Sequence, residues 1–361
     1  MSDRLPRPRA DLTEFAPYRT QQLAAEVRVH ANEWADPNPA SDHLATAELE
    51  AILLNRYPTA HAGAQLREAL SGELGVAPDQ LIFGNGSNEV LLYAFLAFGG
   101  HGRTTLLFQP TYSMHGRLTQ TAGGTVADEP IGLPYDLSGR RALAALDRVR
   151  PHIVCFTTPN NPTGNLIDES VILAAAERYP ETLVLVDEAY SDFAGNTIVP
   201  ALAAHPNIVV TKTFSKARAA AGLRLGVLIA DPRIAGTLRA VQLPYNVSPL
   251  VTVVAGRIAR RGDDVRRRIA RCATERERVY AALRRAPGVE AFPSVTNFIL
   301  FRLAERAPAD VHATLLEHGV LVRDVSGWPG CAGCLRVSIG TPAENDRVIA
   351  AIDAVFSAVR A

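Results

Sequence analysis

The chain is 361 residues long, 47% hydrophobic and 20% charged, and its formal net charge is zero. At roughly 100–200 residues per domain, that length asks for two domains, or a large one with a smaller companion. The neutral balance gives no footing for a nucleic-acid or membrane partner, so any basic site is local and aimed at a small anion.

Residues 1–30 are polar, rich in Pro and Arg and weakly patterned, and read as an N-terminal arm without the apolar stretch of a secretory signal. The longest apolar run, Val90 to Phe98, falls far short of the ~20 residues that span a bilayer. The expected location is the cytoplasm, where four thiols stay reduced. Residues 46–245 alternate between short β-branched or Leu-rich runs (Thr104–Phe108, Ile153–Phe156, Leu183–Val186, Ile208–Val210, Leu225–Ile229) and amphipathic stretches such as Glu169–Tyr179. Short apolar strands between helices predict an α/β domain: a mostly parallel sheet with helices on both faces. Residues 31–45 and 246–361 are assigned to a smaller α+β domain. Its sequence shows a long Arg-rich helical stretch, Val251 to Arg285, then strand-like pieces at Thr296–Phe301, Val320–Val322 and Leu335–Ile339.

In parallel sheets, ligands collect at the carboxyl ends of the strands. Five apolar runs here lead directly into polar motifs. Leu81-Ile82-Phe83 is followed by Gly84-Asn85-Gly86-Ser87-Asn88-Glu89, and Leu106-Leu107-Phe108 by Gln109-Pro110-Thr111-Tyr112. Ile153–Phe156 precedes Thr157-Thr158-Pro159-Asn160-Asn161-Pro162-Thr163-Gly164, and Leu183–Val186 precedes Asp187-Glu188-Ala189-Tyr190. Ile208–Val210 precedes Thr211-Lys212-Thr213-Phe214-Ser215-Lys216. Together they predict one composite site.

The chemistry of these motifs is coherent. A Gly-rich turn opening a helix at Ser87-Asn88 presents free N–H groups to a phosphate, although the same residues also make an ordinary helix cap. Thr213, Ser215 and Arg224 can complete a phosphate cradle. The only two lysines among 37 basic residues are Lys212 and Lys216, and an amine can do what a guanidinium cannot: lose its proton and attack a carbonyl. Lys216, beside the cradle, is placed to form a Schiff base with an aldehyde cofactor such as pyridoxal phosphate. Asp187 suits the pyridine nitrogen of that ring, Asn161 and Tyr190 its phenolic oxygen, and Tyr112 its face. Lys212 asks for no amine chemistry, so its loss should leave cofactor binding and turnover largely intact.

The same stretches resemble the fold-type I pyridoxal-phosphate aminotransferases, and within them the histidinol-phosphate aminotransferases. The resemblance extends through Asn32-Glu33, Arg56-Tyr57-Pro58, Pro244-Tyr245, Thr296-Asn297-Phe298, Gly319–Asp324 and Leu335-Arg336-Val337, in the family's order and over nearly the whole chain. It implies that Lys216 holds pyridoxal 5'-phosphate and moves the proton, with Asp187 and Tyr190 as its catalytic companions. It implies cofactor contacts from Ser87, Asn88, Tyr112, Asn161, Thr213, Ser215 and Arg224, with Tyr57 contributed by a neighbouring subunit. A homodimer with shared sites follows.

For substrate, the resemblance implies Tyr18, Asn161, Arg323 and Arg336, acting on a small-molecule amino donor and a 2-oxo acid. The expected reaction moves an amino group between histidinol phosphate and glutamate/2-oxoglutarate, in histidine biosynthesis. The alternatives are an aromatic (phenylalanine) aminotransferase and a pyridoxal-phosphate decarboxylase of a phosphorylated amino acid. The segment Ser326 to Cys334 is longer than the family's common form, and Trp328 within it can alter which side chain fits. Its Cys331-x-x-Cys334 pair lacks the further ligands of a zinc site and leads into a strand, so it reads as loop chemistry with no metal.

Overall fold

A computed structural model describes residues 9–12, 23–59 and 63–357. The larger sheet is built from β2 to β8, following a short β1 at Val27–Arg28. These strands are β2 (Leu81–Asn85), β3 (Thr104–Gln109), β4 (Thr125–Pro130), β5 (Ile153–Thr157), β6 (Leu183–Asp187), β7 (Ile208–Thr213) and β8 (Leu225–Ala230). Their order across the sheet is β2-β8-β7-β6-β5-β3-β4. Successive residues along each strand serve opposite faces. Leu106, Val154, Val184 and Val210 enter the core on one side, and Leu107, Ile153, Leu185 and Val209 enter the core on the other. Both faces are therefore covered, which is why these strands read as unbroken apolar runs.

β8 alone runs against its neighbours, antiparallel to both β7 and β2. The link between β7 and β8, residues 214–224, carries only a single 3-10 turn at Ala221–Leu223, and a parallel return needs a crossover of a dozen or more residues. The reversal has a functional consequence. The beginning of β8, with Arg224 just before it, lies at the same sheet edge as the ends of β2, β3, β5, β6 and β7.

The edge strand β4 was not foreseen. Its sequence, Thr-Val-Ala-Asp-Glu-Pro, is exposed or half-buried throughout and lacks the apolar signature of the inner strands. The Arg-rich stretch is two helices, Pro249–Ala259 and Gly262–Arg285, instead of one. The first starts on a Ser248 cap and packs Val254, Ala255 and Ile258 into the large-sheet core. The second belongs with the smaller sheet through Cys272, Val279 and Leu283. One amphipathic face cannot serve two cores, and the chain breaks at Arg260–Gly262.

The smaller sheet contains β9 (Val289–Ala291), β10 (Phe298–Leu303), β12 (Arg323–Asp324) and β13 (Cys334–Ser338), antiparallel in the order β12-β13-β10-β9. β11 (Val320–Leu321) pairs in parallel with β1, so Val27 and Arg28, in the segment read as an arm, join the smaller unit. A two-residue strand is too short to leave a periodic signal. Among the described residues no helix is long and apolar enough to cross a membrane.

Candidate active site

Two adjoining cavities open where the carboxyl ends of the parallel strands face the smaller sheet. The inner one, of 330 Å³, is lined by Ser87, Asn88, Asp187, Thr213, Ser215 and Arg224 among others. The outer one, of 670 Å³, is lined by Arg28, Glu33, Arg323, Trp328 and Arg336. Tyr112, Asn161, Tyr190 and Lys216 border both. Of the residues singled out in the sequence, Tyr57 and Tyr18 stand apart. Tyr57 is 78% exposed and stacks on Tyr245 with ring centroids 4.7 Å apart; Tyr18 lies outside the described residues.

One end of the inner cavity is built for an anion. The helix Ser87–Phe98 begins there, after Gly86 in a left-handed turn (φ 79°), and its first N–H groups carry the positive end of the helix dipole. Gly86 is required for proximity as well as conformation, because a Cβ there would collide with the Arg224 guanidinium. Gly226 opposite it leaves room for the backbone of Gly86 and Ser87 in the same way. Arg224 has no carboxylate partner among the described residues. Its Nη1 donates to the Ala221 carbonyl at 3.2 Å. The Thr213 hydroxyl donates to Ser215 Oγ at 3.0 Å and accepts the Ser215 N–H at 3.1 Å, which holds both side chains at the cradle. A positive guanidinium, a helix N-terminus and two hydroxyls without a carboxylate make a site for phosphate.

The other end is acidic. Asp187, 3% exposed, closes β6. Its Oδ1 accepts the Ala189 N–H at 3.0 Å and the Thr211 hydroxyl at 3.3 Å, and its Oδ2 lies 3.0 Å from His115 Nε2. These donors fix the carboxylate's orientation. His115 is fully buried, and its Nδ1 has no hydrogen-bond partner among the described residues. With the proton on Nε2 it donates to Asp187. His115 escaped the sequence reading; its one signal was its place three residues after Tyr112, at the start of the helix Met114–Thr121.

Lys216 Nζ donates to the Ala31 carbonyl at 3.1 Å and lies 5.7 Å from the Tyr190 ring centroid. Burial lowers its pKa from 10.5 to about 8, assisted by the positive charges of Arg336 and Arg224 and opposed by Glu33. Lys212 differs in every respect. Its Nζ contacts Glu188 Oε2 at 2.9 Å and Asp192 Oδ1 at 3.6 Å, and donates to Ser191 Oγ at 2.6 Å. Burial alone would lower its pKa, but the two carboxylates outweigh that and raise it. One lysine is tuned toward the free amine and the other is locked as an ammonium.

On the outer side, Arg336 Nη1 donates to Asn161 Oδ1 at 2.5 Å and its Nη2 to the His30 carbonyl at 3.0 Å. Arg323 and Arg336 face each other across the β12–β13 pair. Like charges in direct cross-strand register repel, and among the described residues Arg323 has no carboxylate partner. An anion between them removes the repulsion. Tyr112 donates to Asn88 Oδ1 at 3.1 Å and sits edge-on to His115. Cys331 and Cys334 are buried beneath this wall, and the Cys334 N–H donates to the Cys331 carbonyl at 2.9 Å to close a turn. Among the described residues no group of three or more His, Cys, Asp or Glu side chains could hold a metal ion.

A family model described as aminotransferase class I and II matches residues 27–352. The chain is 36% identical to histidinol-phosphate aminotransferase 1 of Carboxydothermus hydrogenoformans, over 93% of this chain and 95% of that protein. It is 38% identical to the histidinol-phosphate aminotransferase of Thermobifida fusca, over 93% and 92%. Its fold matches the crystal structure of histidinol-phosphate aminotransferase from Sinorhizobium meliloti in complex with pyridoxal-5'-phosphate. The TM-score is 0.81 at 23% identity, covering 93% of this chain and 92% of that one.

Proposed function

The chain belongs to the class I and II aminotransferases and is a pyridoxal-phosphate-dependent transaminase, and on that premise we propose that it exchanges an amino group between histidinol phosphate and 2-oxoglutarate, in histidine biosynthesis. The observation that carries the substrate assignment is the Arg323–Arg336 cross-strand pair at the outer cavity. Histidinol phosphate brings a phosphate and no carboxylate; glutamate brings carboxylates and no phosphate. Guanidinium forks accept either anion, so one arginine pair can serve both half-reactions. The relatives bearing this activity in their names, at 36% and 38% identity, support the same reading.

The residues present fit the cofactor: a phosphate cradle without a carboxylate at one end, a buried carboxylate at the other, and an amine of lowered pKa between them. Bound there, pyridoxal phosphate supplies an aldehyde for amines and a ring that takes up the electron pair released on deprotonation. Ser87, Asn88, Thr213, Ser215 and Arg224 would hold its phosphate, and Asp187, steadied by His115, would hold a proton at its pyridine nitrogen. Asn161 and Tyr190 would bind its phenolic oxygen and Tyr112 would cover its face. Lys216, a buried amine of lowered pKa at the border of both cavities, would bind the aldehyde carbon and is the residue placed to carry the substrate's proton. Arg323 and Arg336 orient the donor by its anion.

Tyr57 needs a second copy of the chain. It stacks on exposed Tyr245, and Leu53, Leu54 and Leu243, near these two tyrosines in sequence, are exposed as well, apolar surface that a monomer would leave wet. A homodimer that covers this surface, with Tyr57 reaching the partner's phosphate cradle, is part of the proposal. The substrate assignment is tested by kcat/KM for histidinol phosphate and for phenylalanine with 2-oxoglutarate as acceptor. The expected ratio is roughly 10- to 100-fold in favour of histidinol phosphate, about one charge-assisted hydrogen bond. A ratio near one or below it makes the enzyme an aromatic aminotransferase.

A further inference from the structure

Asn32 carries out a task that its sequence context does not announce. It is 1% exposed and adopts a left-handed backbone (φ 54°), a conformation asparagine tolerates better than most L residues. Its polar groups are engaged. The N–H donates to Ser338 Oγ at 2.9 Å, and the carbonyl accepts from Asn297 Nδ2 at 3.1 Å. Side-chain Oδ1 accepts from Ser338 Oγ at 2.9 Å, and Nδ2 donates to the Tyr190 hydroxyl at 2.9 Å.

Serine fixes which way the amide faces. Ser338 has one hydroxyl proton and already accepts the Asn32 N–H, so its own proton goes to Asn32 Oδ1. A flipped amide would give Ser338 two donors and leave its proton without an acceptor. Nδ2 therefore faces Tyr190, and the Tyr190 oxygen receives a proton from Asn32. Tyrosine has only one proton of its own, and with Asn32 on the oxygen that proton is left to point into the cavity that Tyr190 borders. Asn161 is oriented by the same logic. Its Oδ1 is held by Arg336, which leaves its amide nitrogen as the donor.

We propose that Asn32 is a positioning residue that sets the direction of the Tyr190 hydroxyl proton, making Tyr190 a dedicated donor to the ring oxygen of the bound cofactor. This rests on the reading of Tyr190 given above and goes beyond it by naming what forces the donation. Asn32 lies between β1 and the large domain's site, so a segment paired with the smaller unit governs a hydrogen bond at the cofactor.

The test is a pH titration of the visible absorption of the holoenzyme, alongside cofactor dissociation constants, for Asn32→Asp, Asn32→Gly, Tyr190→Phe and the doubles. A donor on the ring oxygen stabilises the deprotonated chromophore, in which that oxygen carries the negative charge unshared. Tyr190→Phe should raise the midpoint by about one pH unit. Asn32→Asp, which turns an acceptor toward Tyr190, should raise it by a similar amount. Asn32→Gly, which keeps the left-handed backbone and removes the side chain, should raise it by less. Asn32→Gly should not shift the midpoint further when Tyr190 is already Phe, and Asn32→Asp should then keep only the smaller shift that its added negative charge causes directly. Wild-type midpoints for both Asn32 variants, or an equal shift in the Tyr190→Phe background, would overturn the proposal. If Tyr190→Phe itself leaves the midpoint unmoved, the placement of Tyr190 at the ring oxygen fails first and the role of Asn32 fails with it.

Discussion

Replacing Lys216 by alanine is expected to abolish covalent cofactor attachment, seen as loss of its visible absorption, and to lower turnover by roughly 10⁴-fold or more. An amine at its ordinary pKa of 10.5 would be about 0.1% neutral at pH 7.5; one at about 8 is roughly a quarter neutral. Burial produces most of that change, and Arg336 adds to it, so Lys216 has the neutral fraction near neutral pH that a nucleophile and proton carrier needs. Lys216→Arg should not rescue, because a guanidinium keeps its proton. The pH dependence carries the same sign. The rate at which the apo-protein takes up pyridoxal phosphate covalently should rise through a midpoint near pH 8 and level off above it. Arg336→Met removes a neighbouring positive charge and should move that midpoint upward. A rate that climbs unchecked toward pH 10.5 would mean that the amine is not tuned by its surroundings.

The second large effect is on stability, from Lys212→Ala. Its sequence context asks for no amine chemistry, so its replacement should leave cofactor binding and turnover largely intact. The structure adds a role. Lys212 ties Glu188, whose side chain is 1% exposed, to Asp192 and Ser191 under the end of β7. Without Lys212, Glu188 keeps the Ile198 N–H and the Thr197 hydroxyl, both at 2.6 Å, but loses its counter-charge. Removing one partner of a buried pair typically costs 3–5 kcal/mol, and the surviving donors put the expectation near the lower end, about 3 kcal/mol. The ion pair holds adjacent ends of β6 and β7, the strands that present Asp187 and Lys216. Denaturant titration should therefore show a lower midpoint, while the folded protein keeps its cofactor absorption. Unchanged stability would show that the pair is solvated; lost absorption in fully folded protein would show that the two lysines share one task.

The contrast between the lysines shows what was legible in the sequence. Strand ends that present polar motifs follow from local patterning, and the five runs identified that way end at one sheet edge. Arg224 was legible as a candidate for the phosphate cradle from its neighbourhood, although only the reversed direction of β8 explains why the start of that strand reaches the edge. The tertiary hydrogen bonds of His115 and Asn32 were not legible, although Asn32 belongs to one of the stretches that resemble the family. Their partners are 72 and 158 positions away, and neither a helical histidine nor a loop asparagine announces a tertiary hydrogen bond. The break at Arg260–Gly262 was hidden for a different reason. Arginine is a good helix former, so propensity ran straight through a boundary that packing against two cores imposes. Tyr57 marks a third limit, since it is exposed and stands apart from the cavities of its own chain, so the role proposed for it depends on a second copy.

The most direct test of the account is a single turnover with stoichiometric holoenzyme and histidinol phosphate in the absence of any 2-oxo acid. One equivalent of the corresponding ketone phosphate should form together with one equivalent of aminated cofactor, and added 2-oxoglutarate should then yield one equivalent of glutamate and restore the original absorption. A cofactor that stays unaminated with histidinol phosphate but is aminated by phenylalanine would contradict the assignment of Arg323 and Arg336 to a phosphate-bearing donor.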